Sequence, residues 1–171
     1  MRDIPALADR EEQETSSLDG RTPLQPAIVT PKQALSIKPF GLEMRVLLTT
    51  DATGGAISVI MAWHKPGEGP PDHVHSSQEE MFFIVEGTYE LTLDGQTSTV
   101  GPGTIVFIPR NVMHRFKNVG GTTARMLDWS LPGGQDRYFK AVSELAAGGA
   151  FTGEKVIEIS ERFDTNFPAP H

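Results

Sequence analysis

Three histidines and one glutamate have the residue types and spacing from which a metal site is built. In an extended segment, side chains two residues apart lie on the same face, so His73 and His75 point the same way and can hold one cation. Glu80 begins the next predicted strand. His114 begins a later one and approaches the same ion if its face is turned inward. Imidazole and carboxylate ligands suit one divalent transition metal, which is Fe, Mn, Ni, Co, Cu or Zn.

Apolar side chains near these residues are candidates for the wall of a substrate pocket. Phe82 and Ile84 share a strand face with Glu80, and Phe116 shares one with His114. Each of them fits a hydrophobic core equally well, so core packing stays the competing interpretation. The predicted pocket residues are Phe82, Ile84, Phe116, Met61, Trp63 and Phe107.

The elements that position these side chains are short and β-like. Segments of five to nine residues, rich in β-branched and aromatic side chains, are separated by Gly, Pro and Asp, and such gaps are too short for a crossover helix. Asp94-Gly95 is the pair favoured in a two-residue type I′ hairpin turn. The pattern predicts an all-β sandwich or barrel. The predicted strands are Glu43–Thr50, Ala56–His64, Glu80–Glu86, Thr88–Leu93, Gln96–Val100, Thr104–Ile108, His114–Asn118 and Ala124–Leu131.

The two ends of the chain have a different character. Residues 1–40 form a predicted N-terminal arm, because the first part is polar and charged and four prolines keep residues 22–40 extended and irregular. Residues 41–132 form the β domain. Residues 133–171 form a helical extension, in which two short helices are expected to lie across the β unit.

Composition excludes several classes of function. The chain of 171 residues has a net charge of -7, which argues against nucleic acid and anionic membranes as partners. Cysteine is absent, so disulfides, thiolate metal sites and cysteine nucleophiles are excluded. The sequence has no readable signal peptide and no apolar stretch long enough to span a membrane, so we expect a cytoplasmic protein.

The two histidine-bearing segments resemble the paired motifs of the cupin superfamily. Nine of the ten fixed positions match, and Asn111 stands where the family usually has a glycine with positive φ. The matching residues are Gly67, His73, His75, Glu80 and Gly87 in the first motif, and Gly103, Pro109, His114 and Asn118 in the second.

This resemblance implies a fold and a function. The strands are expected to form a single jelly-roll barrel around a metal held by His73, His75, Glu80 and His114. The layout is similar to the single-domain, quercetin dioxygenase-like branch, which favours a dioxygenase acting on a small enolisable or polyphenolic compound with dioxygen. In that branch Glu80 would also be the catalytic base, which requires its pKa to rise. The resemblance further implies a homodimer.

Two other functions remain open at this point. One is an oxygen-independent cupin enzyme, namely an isomerase, cyclase, lyase or decarboxylase. The other is a barrel that binds a small ligand without catalysis, because complete ligands do not establish a reaction. Of the remaining histidines, His64 is expected at the surface or at a strand edge, with the mouth of the pocket as the alternative, and His171 is expected to be inert.

Overall fold

The computed structural model describes residues 24–168, which form nine strands and two α-helices. Residues 1–23, where most of the predicted N-terminal arm falls, and His171 lie outside the described residues. The strands are β1 Leu35–Ile37, β2 Glu43–Leu48, β3 Ser58–His64, β4 Glu79–Glu86, β5 Tyr89–Leu93, β6 Gln96–Val100, β7 Ile105–Ile108, β8 His114–Asn118 and β9 Ala124–Leu131. The helices are α1 Gln135–Ala147 and α2 Gly153–Arg162.

The strands form two antiparallel sheets. The larger sheet has the order β1-β2-β3-β9-β4-β7 and the smaller one the order β6-β5-β8. The two sheets pack as the layers of a jelly roll, without joining into a closed barrel. The prediction of an all-β jelly roll followed by two short helices is therefore confirmed.

Local turn chemistry sets the register of the strands. Asp94 and Gly95 both have positive φ (48° and 78°), as a type I′ turn requires, and Leu93 is paired with Gln96 across it. Asn111 has φ 62°, so it adopts the left-handed conformation expected at that motif position. All eight predicted strands are found, with ends that differ by at most two residues.

Strand β1 is the element that sequence reasoning missed. It lies within residues 22–40, which were expected to be irregular because of their prolines. In the structure these prolines flank the strand without interrupting it, and Ile37 pairs with Met44 on β2. The pairing extends the larger sheet by one edge strand.

The apolar core lies between the two sheets and forms the floor beneath the histidine cluster. Its buried side chains come from five strands. Because they are closely packed, they hold β4 and β8 in fixed positions. The buried members of this core are Phe82, Ile84, Tyr89, Leu91, Ile108, Phe116, Ala124 and Met126.

The two helices cover one side of the β unit, as expected. Asp136 on α1 accepts hydrogen bonds from the backbone N–H and the hydroxyl of Thr50, which ties the start of the helix to the end of β2. Tyr138 on α1 is hydrogen-bonded to Ser160 on α2, with 3.0 Å between their hydroxyl oxygens. Within residues 24–168, no helix is long and apolar enough to cross a membrane.

Candidate metal centre and its cavity

The four predicted ligands come together at one point inside the jelly roll. One ligand atom from each of His73, His75, Glu80 and His114 lies within 4.8 Å of all the others. The four residues are between 1% and 6% exposed, so the cluster is enclosed by protein. Three imidazoles and one carboxylate in this arrangement fit a site for a divalent metal ion.

Backbone pairing brings these residues together from distant parts of the chain. His73 and His114 form an antiparallel bridge, with mutual N–H to C=O bonds of 3.0 and 2.9 Å. On the other side of the same segment, Val74 forms a second bridge with Asn166 from the C-terminal tail. The His-x-His segment is thus held between β8 and the tail.

In each of the three ligand histidines, a backbone carbonyl determines which ring nitrogen carries the proton. Nδ1 of His73 lies 3.0 Å from the carbonyl oxygen of Pro71, and Nδ1 of His114 lies 2.9 Å from that of Val112. Nδ1 of His75 lies 2.7 Å from the carbonyl oxygen of Asp164. A carbonyl oxygen only accepts, so Nδ1 donates in all three rings and the Nε2 lone pairs face the centre of the cluster.

This arrangement places the Nε2 lone pairs of the imidazoles opposite the carboxylate of Glu80, with no proton available to form a hydrogen bond between them. Nε2 of His114 lies 2.8 Å from Oε2 of Glu80, and Nε2 of His75 lies 3.6 Å from the same oxygen. Nε2 of His75 is fully enclosed and has no hydrogen-bond partner among residues 24–168. A cation between these atoms would satisfy all of them at once, so the donor set fits the metal that the motifs predict.

The imidazoles of the cluster determine the ionisation of Glu80. Burial opposes ionisation of this carboxyl, but the neighbouring rings of His114 and His75 hold its pKa well below its ordinary value. A low pKa suits a metal ligand, whereas the base role that the resemblance implies needs a raised pKa and stays a prediction. Burial, reinforced by His114, lowers the pKa of His73 to about 4, which favours the neutral ring that a metal needs.

The cluster opens into a cavity of about 440 Å³. Its walls are mostly apolar and its roof is formed by α1, α2 and the C-terminal tail. A volume in this range accommodates a drug-sized molecule. The lining residues that are not ligands include Leu42, Met44, Ala62, Phe116, Met126, Asp128, Tyr138, Phe139, Val156, Ile157 and Phe167.

Asp128 is the functional candidate that sequence reasoning missed. Its carboxyl group lies in the cavity wall in contact with that of Glu80, and burial together with the Glu80 charge raises the pKa of Asp128 well above its ordinary value. Oδ1 of Asp128 has no donor among the described residues. The sequence does contain one indication of this role. On β9, Asp128 lies on the same inward face as Ala124, Met126 and Ser130, where a charged residue is unusual.

Asp164 was missed as well, for a different reason. It follows α2 in the tail, where its carboxylate accepts hydrogen bonds from the backbone N–H groups of Ser76 and Ser77, at 3.0 and 2.7 Å. Its carbonyl also orients His75. No local pattern links residues so far apart in the chain.

The predicted pocket residues divide into three groups. Phe116 lines the cavity, whereas Phe82 and Ile84 are buried in the core beneath it. Met61 and Trp63 alternate with the inward residues of β3 and lie half-buried on the other face of the larger sheet.

Phe107 also faces away from the cavity and is 56% exposed. The expectation that Met61, Trp63 and Phe107 line the pocket is therefore corrected. The residues of β3 that line the cavity are Ala62 and His64, which alternate with Met61 and Trp63.

His64 departs from its predicted position. It is only 1% exposed, and it lines the same cavity as the metal ligands instead of lying at the surface. Nδ1 of His64 lies 2.9 Å from the hydroxyl oxygen of Tyr89. Burial lowers the pKa of His64 to about 4, so the ring is neutral near pH 7.

Known proteins share this domain. The family model described as the cupin domain matches residues 64–130. Polyketide synthase CurC of Streptomyces cyaneus is 38% identical over 106 residues, which cover 61% of this chain and 68% of the relative. Quercetin 2,3-dioxygenase of Bacillus subtilis is more distant, at 24% identity over 107 residues, which cover 63% of this chain and 32% of that protein.

The fold is also found among solved structures. The polyketide cyclase RemF from Streptomyces resistomycificus superposes with a TM-score of 0.54 and 25% identity, over 63% of this chain and 80% of RemF. The polyketide-associated relatives are thus more similar to the chain than quercetin 2,3-dioxygenase is. The matched segment, residues 64–130, contains all four candidate ligands. The chain belongs to the cupin family.

Proposed function

We propose that the protein is a metal-dependent cupin enzyme that converts an enolisable, polyketide-type aromatic compound without consuming dioxygen, as a cyclase, isomerase or lyase does. The observation that carries this proposal is the buried cluster of three imidazoles and Glu80 in a mostly apolar cavity of about 440 Å³. The similarity to CurC and RemF, whose names refer to polyketides, supports the same substrate class.

His73, His75, Glu80 and His114 would hold the metal ion. A divalent ion in this position would supply Lewis acidity toward an oxygen of an enolisable carbonyl. The carbonyl groups that fix Nδ1 of the three imidazoles keep their ligand atoms aimed at one point before substrate arrives. The low pKa of Glu80 supports its role as a metal ligand.

The walls of the cavity bind and enclose the substrate. Met44, Ala62, Phe116 and Phe139 present apolar surface to a flat ring system, and α2 closes the opposite side through Val156. Burial of the ring system supplies the binding energy, at about 25 cal/mol per Å² of apolar surface removed from water. The buried position of the ligand cluster limits the access of bulk water to the reacting carbonyl.

Asp128 is placed to orient the reacting end of the substrate. Its carboxyl group lines the cavity beside Glu80, and its Oδ1 lacks a donor among the described residues. A substrate hydroxyl next to the reacting carbonyl would donate to this oxygen and satisfy it. Asp128 therefore fixes which oxygen of the substrate approaches the ligand cluster.

The test is turnover with and without dioxygen. Metal-loaded protein is mixed with synthetic linear β-polyketones and with 1,3-diketones in air and under argon, and products are followed by absorbance and mass spectrometry. We expect equal rates in both atmospheres. Asp128→Ala, which removes the acceptor oxygen, should retain about one equivalent of metal but lose turnover by about 10²-fold, as expected when a substrate is no longer held in the reactive position.

The second candidate is the dioxygenase that the motifs first favoured. The distant similarity to quercetin 2,3-dioxygenase supports it, and a flavonol also fits a flat apolar cavity. Product formation that stops under argon, with oxygen uptake matching product in air, would replace the oxygen-independent proposal with this one. Tight ligand binding with no product in either atmosphere would indicate a binding protein.

A further inference from the structure

The cavity has a second polar end that the metal centre does not use. His64 is the last residue of β3, it lines the cavity, and it is not a member of the ligand cluster. The interior of a largely apolar pocket is an unusual place for an imidazole without a charge partner. We therefore asked whether His64 contacts a ligand bound in the cavity.

The strand register separates this imidazole from the reacting end. His64 is paired with Ala124, whereas Asp128 is paired with Ile60, four residues away along both strands. At about 3.3 Å per residue, the two positions are on the order of 13 Å apart. Ala62 and Met126, which are paired with each other between them, also line the cavity. The cavity thus has two polar ends joined by an apolar middle.

The hydrogen bond to Tyr89 determines what His64 offers to a ligand. The Tyr89 side chain is fully buried, and Nδ1 of His64, at 2.9 Å, is its hydroxyl partner among the described residues. A buried hydroxyl needs an acceptor for its proton, so Tyr89 donates to Nδ1. The ring proton then resides on Nε2, which has no partner within residues 24–168 and is available as a donor.

We propose that His64 is a second substrate-binding group, whose Nε2–H donates to an oxygen at the far end of an elongated, fused-ring compound. This inference rests on the proposed function, because it assumes that the reacting end lies at the ligand cluster. It narrows the substrate to flat compounds that carry oxygen functions on the order of 10 Å apart. Single-ring diketones and catechols reach one end only.

Two anthraquinones test this directly. 1-Hydroxyanthraquinone and 1,6-dihydroxyanthraquinone both present a hydroxyl beside a carbonyl at one end, and they differ only by the hydroxyl on the distant ring. Their dissociation constants are measured by absorbance titration with the metal-containing protein. We expect the dihydroxy compound to bind about three- to tenfold more tightly, as one added hydrogen bond provides.

Variants test whether the difference in affinity between the two compounds depends on His64. His64→Phe should bind both compounds with equal affinity, and His64→Gln, which retains an N–H donor, should recover part of the preference. Tyr89→Phe leaves the cavity wall unchanged and should weaken the preference, because Nδ1 then competes for the ring proton. Metal content and near-UV circular dichroism show that each variant is folded. Nitrogen-15 NMR of the wild-type imidazoles should show His64 protonated at Nε2.

The outcomes separate this inference from the proposed function. Equal affinity of the wild-type protein for the two compounds, or failure of both to bind, overturns the distal subsite even if oxygen-independent turnover is found. Tighter binding of the dihydroxy compound that persists in His64→Phe also overturns it. A preference that depends on His64, with no turnover under argon, retains the subsite and rejects the proposed reaction.

Discussion

The buried neutral imidazole of His64 makes the stability of the protein sensitive to acid in a way that one substitution should remove. In the unfolded chain a histidine has its ordinary pKa of 6.5, whereas burial lowers the pKa of folded His64 to about 4. Between these values the unfolded chain binds a proton that the folded protein does not. The free energy of unfolding therefore falls as the pH falls, by about 1.4 kcal/mol per pH unit.

The size of the effect follows from the two pKa values. Between pH 7.5 and pH 4.5 the loss attributable to His64 is about 2 to 3 kcal/mol, a large share of the 5 to 15 kcal/mol of a typical domain. His64→Gln removes the titrating group, so the variant should lose about that much less stability over the same interval. Tyr89→Phe is the matched control: burial is what lowers the pKa of His64, so this variant should keep the acid sensitivity.

Urea unfolding at the two pH values measures this difference. The wild-type protein and His64→Gln are both freed of metal with a chelator. The ligand His73 titrates in the same range, and in the metal-free state it contributes equally to the pH dependence of the two proteins. Comparing the pH-dependent losses cancels the constant cost of the substitution itself. If wild-type and His64→Gln lose the same stability within about 0.5 kcal/mol, His64 is not held as a buried neutral ring and the reasoning is refuted.

Three further predictions concern the metal, the loop beside it and the outer sheet. His114→Ala should retain less than about a tenth of an equivalent of metal after dialysis, by elemental analysis, whereas Lys117→Ala on the same strand should retain a full one. Gly69→Ala should lower the free energy of unfolding by about 1 to 3 kcal/mol, since its Cβ would lie 1.9 Å from a backbone oxygen of β8; Gly101→Ala, with open space around its Cβ, should be neutral. The homodimer implied by the family resemblance should give twice the mass of one chain in light scattering. Phe107→Glu, at an exposed apolar position on β7, should reduce the measured mass to that of a single chain. Wild-type protein with the mass of a single chain would contradict the homodimer.

Local sequence patterns were sufficient to predict eight of the nine strands and the pair of ligands in the first histidine segment. Gly95 and Asn111 stand where turns require positive φ, and alternation along an extended chain places His73 and His75 on one face. These features depend on residues close in sequence. The convergence of His114 on the first motif required the family resemblance, because it depends on how two distant segments pair.

The inward or outward direction of side chains was harder to predict. On β7, Ile105, Val106, Phe107 and Ile108 form a continuous apolar run, so no alternation indicates which residues face the core. On β3 both faces carry apolar side chains, Val59 and Met61 on one and Ile60 and Ala62 on the other, so the sequence does not indicate which face lines the cavity. His64 was misplaced for a related reason: its partner Tyr89 lies on the opposite sheet, and nothing near His64 in the sequence reveals it.

The roof over the cavity has a consequence for how such proteins diversify. Helices α1 and α2 and the tail follow one another without interruption, whereas all four ligands precede β9 in the chain. Recombination at a single point after β9 would therefore exchange the roof of the cavity and leave the four ligands, His64 and Asp128 in place. Asp164 limits this freedom, since its carbonyl orients His75 and its carboxylate holds the adjoining serines. Asn166 pairs with Val74 as well, so an exchanged segment must bring equivalents of both residues, and the evolution of a new roof is tied to the metal centre through the tail.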